Sequence, residues 1–207
     1  VIRLVEGGSS GIRSKLNATT DVAAGYQRWS QYYPNINWKK MFTNLRKTTP
    51  DAGLKWLQFR ILHRILPTKR FLFLRKIVES QDCTFCGAHV ENIDHLFWEC
   101  VHALRFWNDL KALLREKCTN CDNLNFSKPL ILFGVQQNII TDKTVDFIIL
   151  FAKHYIYTCK WNGTTPNIKA FHGKLKDRYE VEKFSQSLMG NGPKFNRDWI
   201  PYRDIVK

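Results

Sequence analysis

Residues 83–100 of the chain, Cys-Thr-Phe-Cys-Gly-Ala-His-Val-Glu-Asn-Ile-Asp-His-Leu-Phe-Trp-Glu-Cys, carry the strongest signal in the sequence. Cys83, Cys86, His95 and Cys100 follow the spacing C-x2-C-x8-H-x4-C. A structural zinc site needs four thiolate or imidazole ligands in a tetrahedron, and a C-x2-C turn brings two thiolates to one side of the ion. The spacing therefore predicts a structural zinc site with these four ligands.

The last two ligands lie where a helix is predicted to begin. On a regular α-helix, two residues five apart in sequence are separated by about 140° around the axis, which is too far to share a face. We therefore expect His95 at the N-terminal edge of the helix and Cys100 inside the helix.

Two other ligand sets compete with this one. His89 lies in the eight-residue gap and could replace the later histidine only with a tighter loop. Cys118 and Cys121 form a second C-x2-C, which could complete a four-cysteine site with the first, although a predicted helix separates the two. Because the context of a redox motif is also missing, we expect two free thiols at a helix end.

Catalysis by this segment is not expected. His89-Val-Glu91 resembles the His-x-Glu of nucleobase deaminases, but there the motif precedes a Pro-Cys-x-x-Cys, whereas here it follows the C-x2-C. Four protein ligands leave no open position on zinc for a water molecule. The sequence also shows no phosphate-binding glycine loop, cluster of catalytic carboxylates or nucleophile–base pair. We therefore predict that the segment alone is not an enzyme.

Positive charge is concentrated before the metal segment. The whole chain carries a net charge of +14, and residues 37–78 contain eleven Lys or Arg and one acid, Asp51, which is a net charge of +10. Clustered cations gain affinity for nucleic acids by releasing counterions from the phosphates. The alternative is a basic surface that only keeps the protein soluble. We favour a nucleic acid, RNA or DNA, as the partner.

The predicted nucleic-acid contacts combine basic and aromatic side chains. On a helix predicted over residues 51–66, Trp56, Arg60, His63 and Arg64 share the strip opposite the apolar side, and arginine beside tryptophan suits phosphate contact with base stacking. Trp56, and likewise Trp98 on the helix after the metal site, could instead pack against a neighbouring helix. The full set of candidates is Lys39, Lys40, Lys55, Trp56, Arg60, His63, Arg64, Lys69, Arg70, Arg75, Lys76, Trp98 and Arg105.

Hydrophobic periodicity predicts a mainly α fold with little or no β, a helical domain stabilised by one CCHC zinc knuckle. We expect a linker or lead-in over 1–25, a basic helical segment with the knuckle over 26–118, and a C-terminal helical segment over 119–207. No apolar run is long enough to span a membrane. The expected helices run from Asp51 to about Leu66, from Thr68 to about Val78, from the metal site to about Lys117, from Thr141 to about Tyr157, and onward from Thr165-Pro166. Residues 130–135 are expected to form a strand or a buried turn. The tail through Trp199 and Pro201 is expected to be irregular.

Several motifs occur together in a specific order. Leu54-Lys-Trp-Leu-Gln-Phe-Arg-Ile-Leu-His-Arg-Ile-Leu-Pro-Thr68 is followed by Cys-Thr-Phe-Cys, then Asp94-His-Leu-Phe-Trp-Glu-Cys100, then Phe106-Trp107. This combination resembles the C-terminal region of LINE-type reverse transcriptases, the polyproteins of non-LTR retrotransposons, over about 38–114 and more loosely over 167–202. The resemblance implies zinc bound by the four residues named first, and a grip on element RNA or target DNA during target-primed reverse transcription.

The resemblance also sets limits on the function. The paired-aspartate motif of the polymerase (Phe or Tyr, x, Asp, Asp) and an endonuclease signature are absent, so polymerase activity is expected of the parent polyprotein. The protein is expected inside the cell, as part of a ribonucleoprotein in the nucleus and cytoplasm. It is not expected to bind a membrane. The alternative function is a non-catalytic scaffold that docks onto the polymerase domain or another protein, based on the aromatic residues Trp29, Tyr32, Tyr33 and Trp38.

Overall fold

The computed structural model describes residues 24–38, 41, 48–118, 121, 126–134 and 143–207. These residues contain no β-strand, and Asp82 and Val90 form an isolated antiparallel bridge. The predicted mainly α fold class is confirmed. The helices are α1 (Ala24–Ser30), α2 (Ala52–Leu62), α3 (Lys69–Phe73), α4 (Val101–Lys117), α5 (Lys128–Phe133), α6 (Lys143–Trp161), α7 (Ile168–Leu188), α8 (Gly192–Trp199) and α9 (Arg203–Val206), with a π-helical turn (His95–Glu99) and a 3-10 turn (Ile200–Tyr202).

Contacts divide the chain into two compact units, residues 1–35 and 36–207. In the first unit the described part is α1 with the turn after it, where the Tyr33 amide donates to the Trp29 carbonyl at 2.8 Å. In the second unit, α2 and α6 pack together although they come from opposite sides of the domain boundary predicted at residue 119. That boundary stays a prediction, and the linker predicted over 1–25 lies almost entirely outside the described residues.

Helix α6 forms the centre of the second unit. Apolar residues surround the helix on most sides, and a helix of this kind is stable only when it is buried. It packs against α2, α5, α7, α8 and the π-helical turn. The helix ends at Trp161, four residues beyond the predicted Tyr157, while the predicted cap Thr141 lies outside the described residues. No helix in the described part of the chain is both long and apolar enough to cross a membrane.

An aromatic cluster joins α4, α6 and α7. The ring centroid of Phe106 lies 5.3 Å from that of Phe171 and 5.7 Å from that of Tyr155, and Tyr155 and Phe171 are 5.5 Å apart. Next to Phe106, the Trp107 indole nitrogen donates to the Phe97 carbonyl at 2.6 Å in the π-helical turn. The helix that follows the metal segment is therefore fixed to the core by two adjacent aromatic residues.

A polar pair is buried in the same core. The Gln58 amide on α2 donates to the Leu132 carbonyl at 2.8 Å, and the Lys153 ammonium on α6 donates to the Gln58 amide oxygen. Burial lowers the pKa of Lys153 to about 7, and the charge of Asp146 partly opposes this shift. The pair satisfies its hydrogen bonds internally, as buried polar groups must.

Helix α2 begins as predicted and ends earlier. The Asp51 carboxylate accepts from the Leu54 amide at 2.8 Å, which is the predicted N-cap. The helix stops at Leu62, because Arg64 adopts a left-handed conformation with φ 55° and the Ile65 amide bonds back to the Arg60 carbonyl at 2.9 Å. This hydrogen bond closes a Schellman motif, so the prediction of a helix to Leu66 is wrong.

Other predicted helix ends also shift. Thr68 caps α3 as predicted, but α3 ends at Phe73 and not near Val78, since Lys76 has φ 58° and the Ile77 amide bonds back to Leu72. Helix α7 begins after Asn167, whose side chain accepts from the Ala170 amide at 3.1 Å, two residues later than predicted. The run at 130–135, expected as strand or turn, lies largely in α5, and the tail expected to be irregular forms α8, the 3-10 turn and α9.

Candidate metal centre

The four predicted ligands converge in the second unit. One donor atom from each of Cys83, Cys86, His95 and Cys100 lies within 4.8 Å of the other three. The Cys83 and Cys100 sulfurs are 3.8 Å apart, and the Cys86 sulfur is 3.4 Å from His95 Nε2. In a tetrahedral zinc site, bond lengths of about 2.3 Å to sulfur and 2.0 Å to nitrogen place two sulfurs about 3.8 Å apart and a sulfur and a nitrogen about 3.5 Å apart. The donor set therefore fits zinc.

A short backbone turn positions the first two sulfurs. The Cys83 amide donates to the His89 carbonyl at 2.7 Å, and the Gly87 amide donates to the Cys83 carbonyl at 2.9 Å. Gly87 has φ +66°, a conformation that favours glycine. The Phe85 amide points at the Cys83 sulfur at 3.4 Å. We call residues 81–100 the knuckle; its first half is a tight loop that presents both thiols on one side.

The π-helical turn positions the second pair. The Cys100 amide bonds to the His95 carbonyl, five residues earlier, at 2.9 Å, and the wider turn brings the two side chains to the same point. Asn92 supports the start of the turn, because its side chain accepts from the His95 amide at 2.8 Å. The prediction of Cys100 inside a helix is wrong: Cys100 has extended backbone angles and precedes α4, which begins at Val101.

Electrostatics bias three of the four donors. A hydrogen bond from the Cys83 thiol to the Cys100 sulfur raises the pKa of Cys83, as does burial, and the same bond lowers the pKa of Cys100. Burial lowers the pKa of His95, and so does the nearby His89, while Glu99 and Glu91 oppose the shift. Since zinc binds thiolate and neutral imidazole, Cys100 and His95 favour the binding form, whereas Cys83 must release its proton to the metal.

The competing ligands lie outside this cluster. His89 is exposed, and its ring centroid is 5.4 Å from that of His95, but it is not part of the group of four. Cys118 and Cys121 form a disulfide, which corrects the prediction of two free thiols. The physical reason is local: α4 ends at Lys117, and Cys118 leaves the helix in an extended conformation that faces Cys121.

Glu91 connects the knuckle to two helices. Its side chain is fully buried at 0% exposure, and its carboxylate accepts from the Lys69 amide at 2.8 Å, the Thr84 amide at 2.9 Å and the Thr84 hydroxyl at 2.7 Å. The Lys160 ammonium of α6 lies 3.8 Å away, and the Arg70 amide donates to the Glu91 carbonyl at 3.1 Å. Three hydrogen bonds and one ion pair thus give this carboxylate a structural role.

The comparison with known families points to the same segment. Residues 21–107 match the family described as zinc-binding in reverse transcriptase. The match contains all four residues of the cluster. Since both the family and the donor set fit zinc, the predicted cofactor is confirmed, and the predicted resemblance is confirmed at the level of this zinc-binding segment. A search of curated proteins finds no match to the chain.

On the zinc-binding segment, α2 exposes an aromatic ladder. Trp56 is 51% exposed and stacks on Phe59 with ring centroids 5.0 Å apart and an interplanar angle of 6°. Phe59 contacts His63 at 4.1 Å between ring centroids, and the Arg60 guanidinium lies 5.3 Å from the Trp56 centroid. The structure thus brings together three of the four residues of the predicted strip.

The fourth residue of that strip is placed differently. Arg64 lies in the turn after α2 and pairs with Asp94 at 3.6 Å, so its predicted position on the helix is wrong. Asp94 also pairs with Lys128 at 2.8 Å, and Lys128 with Glu99 at 2.7 Å. These ion pairs connect the turn, α5 and the π-helical turn, and Arg64 therefore helps hold the knuckle in place.

The remaining candidates spread over the surface. The Arg75 guanidinium lies 3.4 Å from the Phe71 ring centroid on α3. Lys39 and Lys40 lie outside the described residues. Lys55, Lys69 and Trp98 are partly buried, and Arg70, Arg75, Lys76 and Arg105 are exposed.

Sequence reasoning missed the residues that support the site. Local sequence patterns place Glu91 only in a catalytic motif, and they give Asp94, Lys128 and Lys160 no role in the knuckle. The only local signal was an acidic residue directly before His95, since the partners of these side chains come from distant elements.

Proposed function

We propose that the chain is a nucleic-acid-binding region of a LINE-type reverse transcriptase. In this proposal, zinc bound by Cys83, Cys86, His95 and Cys100 fixes the knuckle, and the adjacent basic surface grips element RNA or target DNA during target-primed reverse transcription. The family match supports the reverse-transcriptase context, and the order of motifs supports the LINE type. The segment works without catalytic groups of its own, in a ribonucleoprotein of the nucleus and cytoplasm.

The aromatic ladder of α2 is the observation that carries the proposal. A half-exposed tryptophan with a guanidinium beside it can stack a base and contact the next phosphate. The cations near the ladder in the sequence are available for phosphates: within the described part of the chain, no ion pair involves Lys55, Arg60, Lys69, Arg70, Arg75 or Lys76.

Zinc would control this surface through Glu91. The start of α3 is tied to the knuckle by the bonds from the Lys69 amide to the Glu91 carboxylate and from the Arg70 amide to the Glu91 carbonyl. Losing the metal releases the loop that holds Glu91, and with it the orientation of the α3 cations. The proposal therefore links metal binding and nucleic-acid affinity without any metal-to-phosphate contact.

Salt-dependent binding of the zinc-loaded chain to single-stranded RNA and to duplex DNA tests the proposal. We expect log affinity to fall with log salt by about 0.7 per phosphate contact on single strands and about 0.9 on duplex. Trp56→Ala and Arg60→Ala should each weaken binding about tenfold, as loss of a stacking contact predicts. Lys174→Ala, on an exposed face of α7, is the matched control and should change little.

The metal arm of the experiment uses Cys86→Ser with His95→Ala. Affinity should be lost together with bound zinc, while circular dichroism still shows most of the helix content of the chain. Affinity that is independent of salt, or unchanged in the Trp56 and Arg60 variants, would refute the nucleic-acid surface. The ratio of RNA to DNA affinity assigns the partner.

A second candidate function is docking onto the polymerase domain or another protein. Helix α7 supports it, because Val181, Phe184 and Leu188 are each more than half exposed and follow the spacing i, i+3, i+7 along one face. Phe184→Glu should then abolish sedimentation of the chain with the polymerase domain and leave RNA affinity unchanged. If Phe184→Glu has no effect on association, docking through this face is wrong.

A further inference from the structure

A cleft of about 380 Å³ opens in the second unit. Its lining residues come from segments of the sequence before and after the four metal donors. It is lined by the residues around the start of α2, the first turns of α6, the end of α7 and the length of α8. Clefts of this volume are large enough to hold a small organic ligand. None of the metal-cluster residues lines it, and most of its lining comes from residues 143–199, for which the motifs suggest no role.

Three lysines from three different elements line this cleft. Lys55 comes from α2, Lys143 from α6 and Lys194 from α8, and none of them forms an ion pair with another described residue. Two carboxylates also line the cleft. Arg178 pairs with Glu182 at 2.6 Å but also with Asp51 at 2.7 Å, and the Thr49 hydroxyl donates to Glu182 at 3.2 Å. When Glu182 and Asp198 are each counted against one lysine, a net charge of +1 remains in the lining, which favours an anionic ligand.

The same cleft has an aromatic wall. Phe195 and Trp199 line it, with ring centroids 5.8 Å apart, and Tyr179 braces both at 5.6 Å and 4.9 Å. Phe147 closes the wall at 5.9 Å from Trp199. Phe195 is only partly buried, so part of its ring is exposed to a planar ligand. An aromatic wall and several lysines in one cleft offer both base stacking and phosphate binding.

We propose that this cleft binds a nucleotide unit, with the phosphate toward the lysines and the base against Phe195. The Gln186 amide at the cleft offers donors and acceptors for the base edge. The unit is either a free nucleotide or one nucleotide of a bound strand. The strand form rests on the proposed function and gives the nucleic acid a second contact point; the free-nucleotide form stands without it.

Calorimetric titration of the zinc-loaded full chain with AMP, adenosine and inorganic phosphate tests the cleft directly. AMP should bind more tightly than adenosine or phosphate alone, since adenosine contacts only the aromatic wall and phosphate contacts only the lysines. Lys194→Glu should weaken AMP about tenfold, because a repelling carboxylate replaces one of three cationic contacts. Lys174→Glu is the matched control, an exposed lysine outside the cleft, and should leave AMP affinity unchanged.

Phe195→Ala separates the two halves of the site. It should weaken AMP and leave phosphate binding as it is. Phosphate binding equal to AMP binding, with no effect of Phe195→Ala, would overturn the nucleotide assignment, and so would the absence of AMP binding to a protein with native circular dichroism. Lys194 is exposed, so its variant tests the cleft without disturbing the core.

Cross-linking assigns the source of the nucleotide. A single-stranded RNA that carries 5-iodouridine should cross-link to Phe195 or Trp199 when the strand occupies the cleft, and AMP should compete. AMP binding without a cross-link supports the free-nucleotide form. Arg60→Ala should not change the affinity for AMP. Failure of the proposed nucleic-acid surface on α2 and failure of the proposed cleft therefore give different results.

Discussion

The knuckle and helix α6 are both buried parts of the second unit, but different interactions hold them. In the knuckle, tight backbone turns, a buried carboxylate and four metal donors add to a small set of buried apolar side chains, Ile93, Leu96 and Phe97. In α6, apolar side chains meet four other helices and the π-helical turn. One unit can therefore depend on metal chemistry in one region and mainly on packing in another.

Removing zinc should have the largest effect and should separate these two regions. Structural zinc contributes on the order of 10 kcal/mol to the folding of small sites, so chelation or Cys86→Ser should unfold the knuckle. Hydrogen exchange should show lost protection at the Cys83 and Glu91 amides and retained protection in the middle of α6. The control is Cys159→Ser, a buried cysteine outside the cluster, which should keep zinc bound. Equal loss of protection in both regions would contradict the separation.

A substitution in the aromatic cluster of α4, α6 and α7 tests the packed region. Phe171 is fully buried and contacts rings of α4 and α6, so Phe171→Ala should lower the free energy of unfolding by about 3–5 kcal/mol. Zinc content should remain one ion per chain at temperatures below the new transition. Phe184→Ala on the same helix is the matched control: this ring is 67% exposed, and the substitution should change stability by about 0.5 kcal/mol or less. Urea denaturation with zinc analysis measures both.

How much the sequence predicts differs between the two regions for a physical reason. The four donors were found because metal spacing is a local pattern, and α6 was found because its apolar character continues over many residues. The π-helical turn was missed because its wider geometry appears only when His95 and Cys100 must meet. Burial of a polar side chain such as Glu91 depends on partners far away in sequence, and no local pattern indicates it.

Helix ends were the weakest predictions, and two kinds of error explain them. Arg64 and Lys76 take left-handed conformations that glycine usually supplies, so the sequence gives no warning of these ends. For α5, by contrast, the signals were present. Ser127 caps the helix and a proline follows in its first turn, a pattern typical of a helix start that the short apolar run obscured.

A charge-removing change within the knuckle should have a smaller effect than either deletion. In Glu91→Gln the amide NH2 must face a donor, either the Lys69 amide or the Thr84 amide and hydroxyl. We expect a loss of about 1–3 kcal/mol, the cost of an unsatisfied buried group, and zinc affinity lower by about tenfold or more. Glu99→Gln, at a half-exposed position that pairs with Lys128, should cost about 1 kcal/mol or less. Similar losses of stability and zinc affinity in the two variants would mean that Glu91 does not connect the knuckle to α3 and α6.

Proton binding inside the packed region should have a smaller effect than the loss of the Phe171 ring. The pKa of Lys153 in the folded chain is about 7, below the ordinary value of 10.5 in the unfolded chain. Between these two values the unfolded state binds more protons, so stability should rise with pH by up to about 1.4 kcal/mol per pH unit and become flat below about pH 7, where both states are protonated. Lys153→Met keeps the length of the side chain and removes the titration. Urea denaturation at pH 7 and pH 9 should show the rise in the parent chain beyond any rise in the variant. Parallel pH profiles for the two chains would show that Lys153 does not titrate in the core.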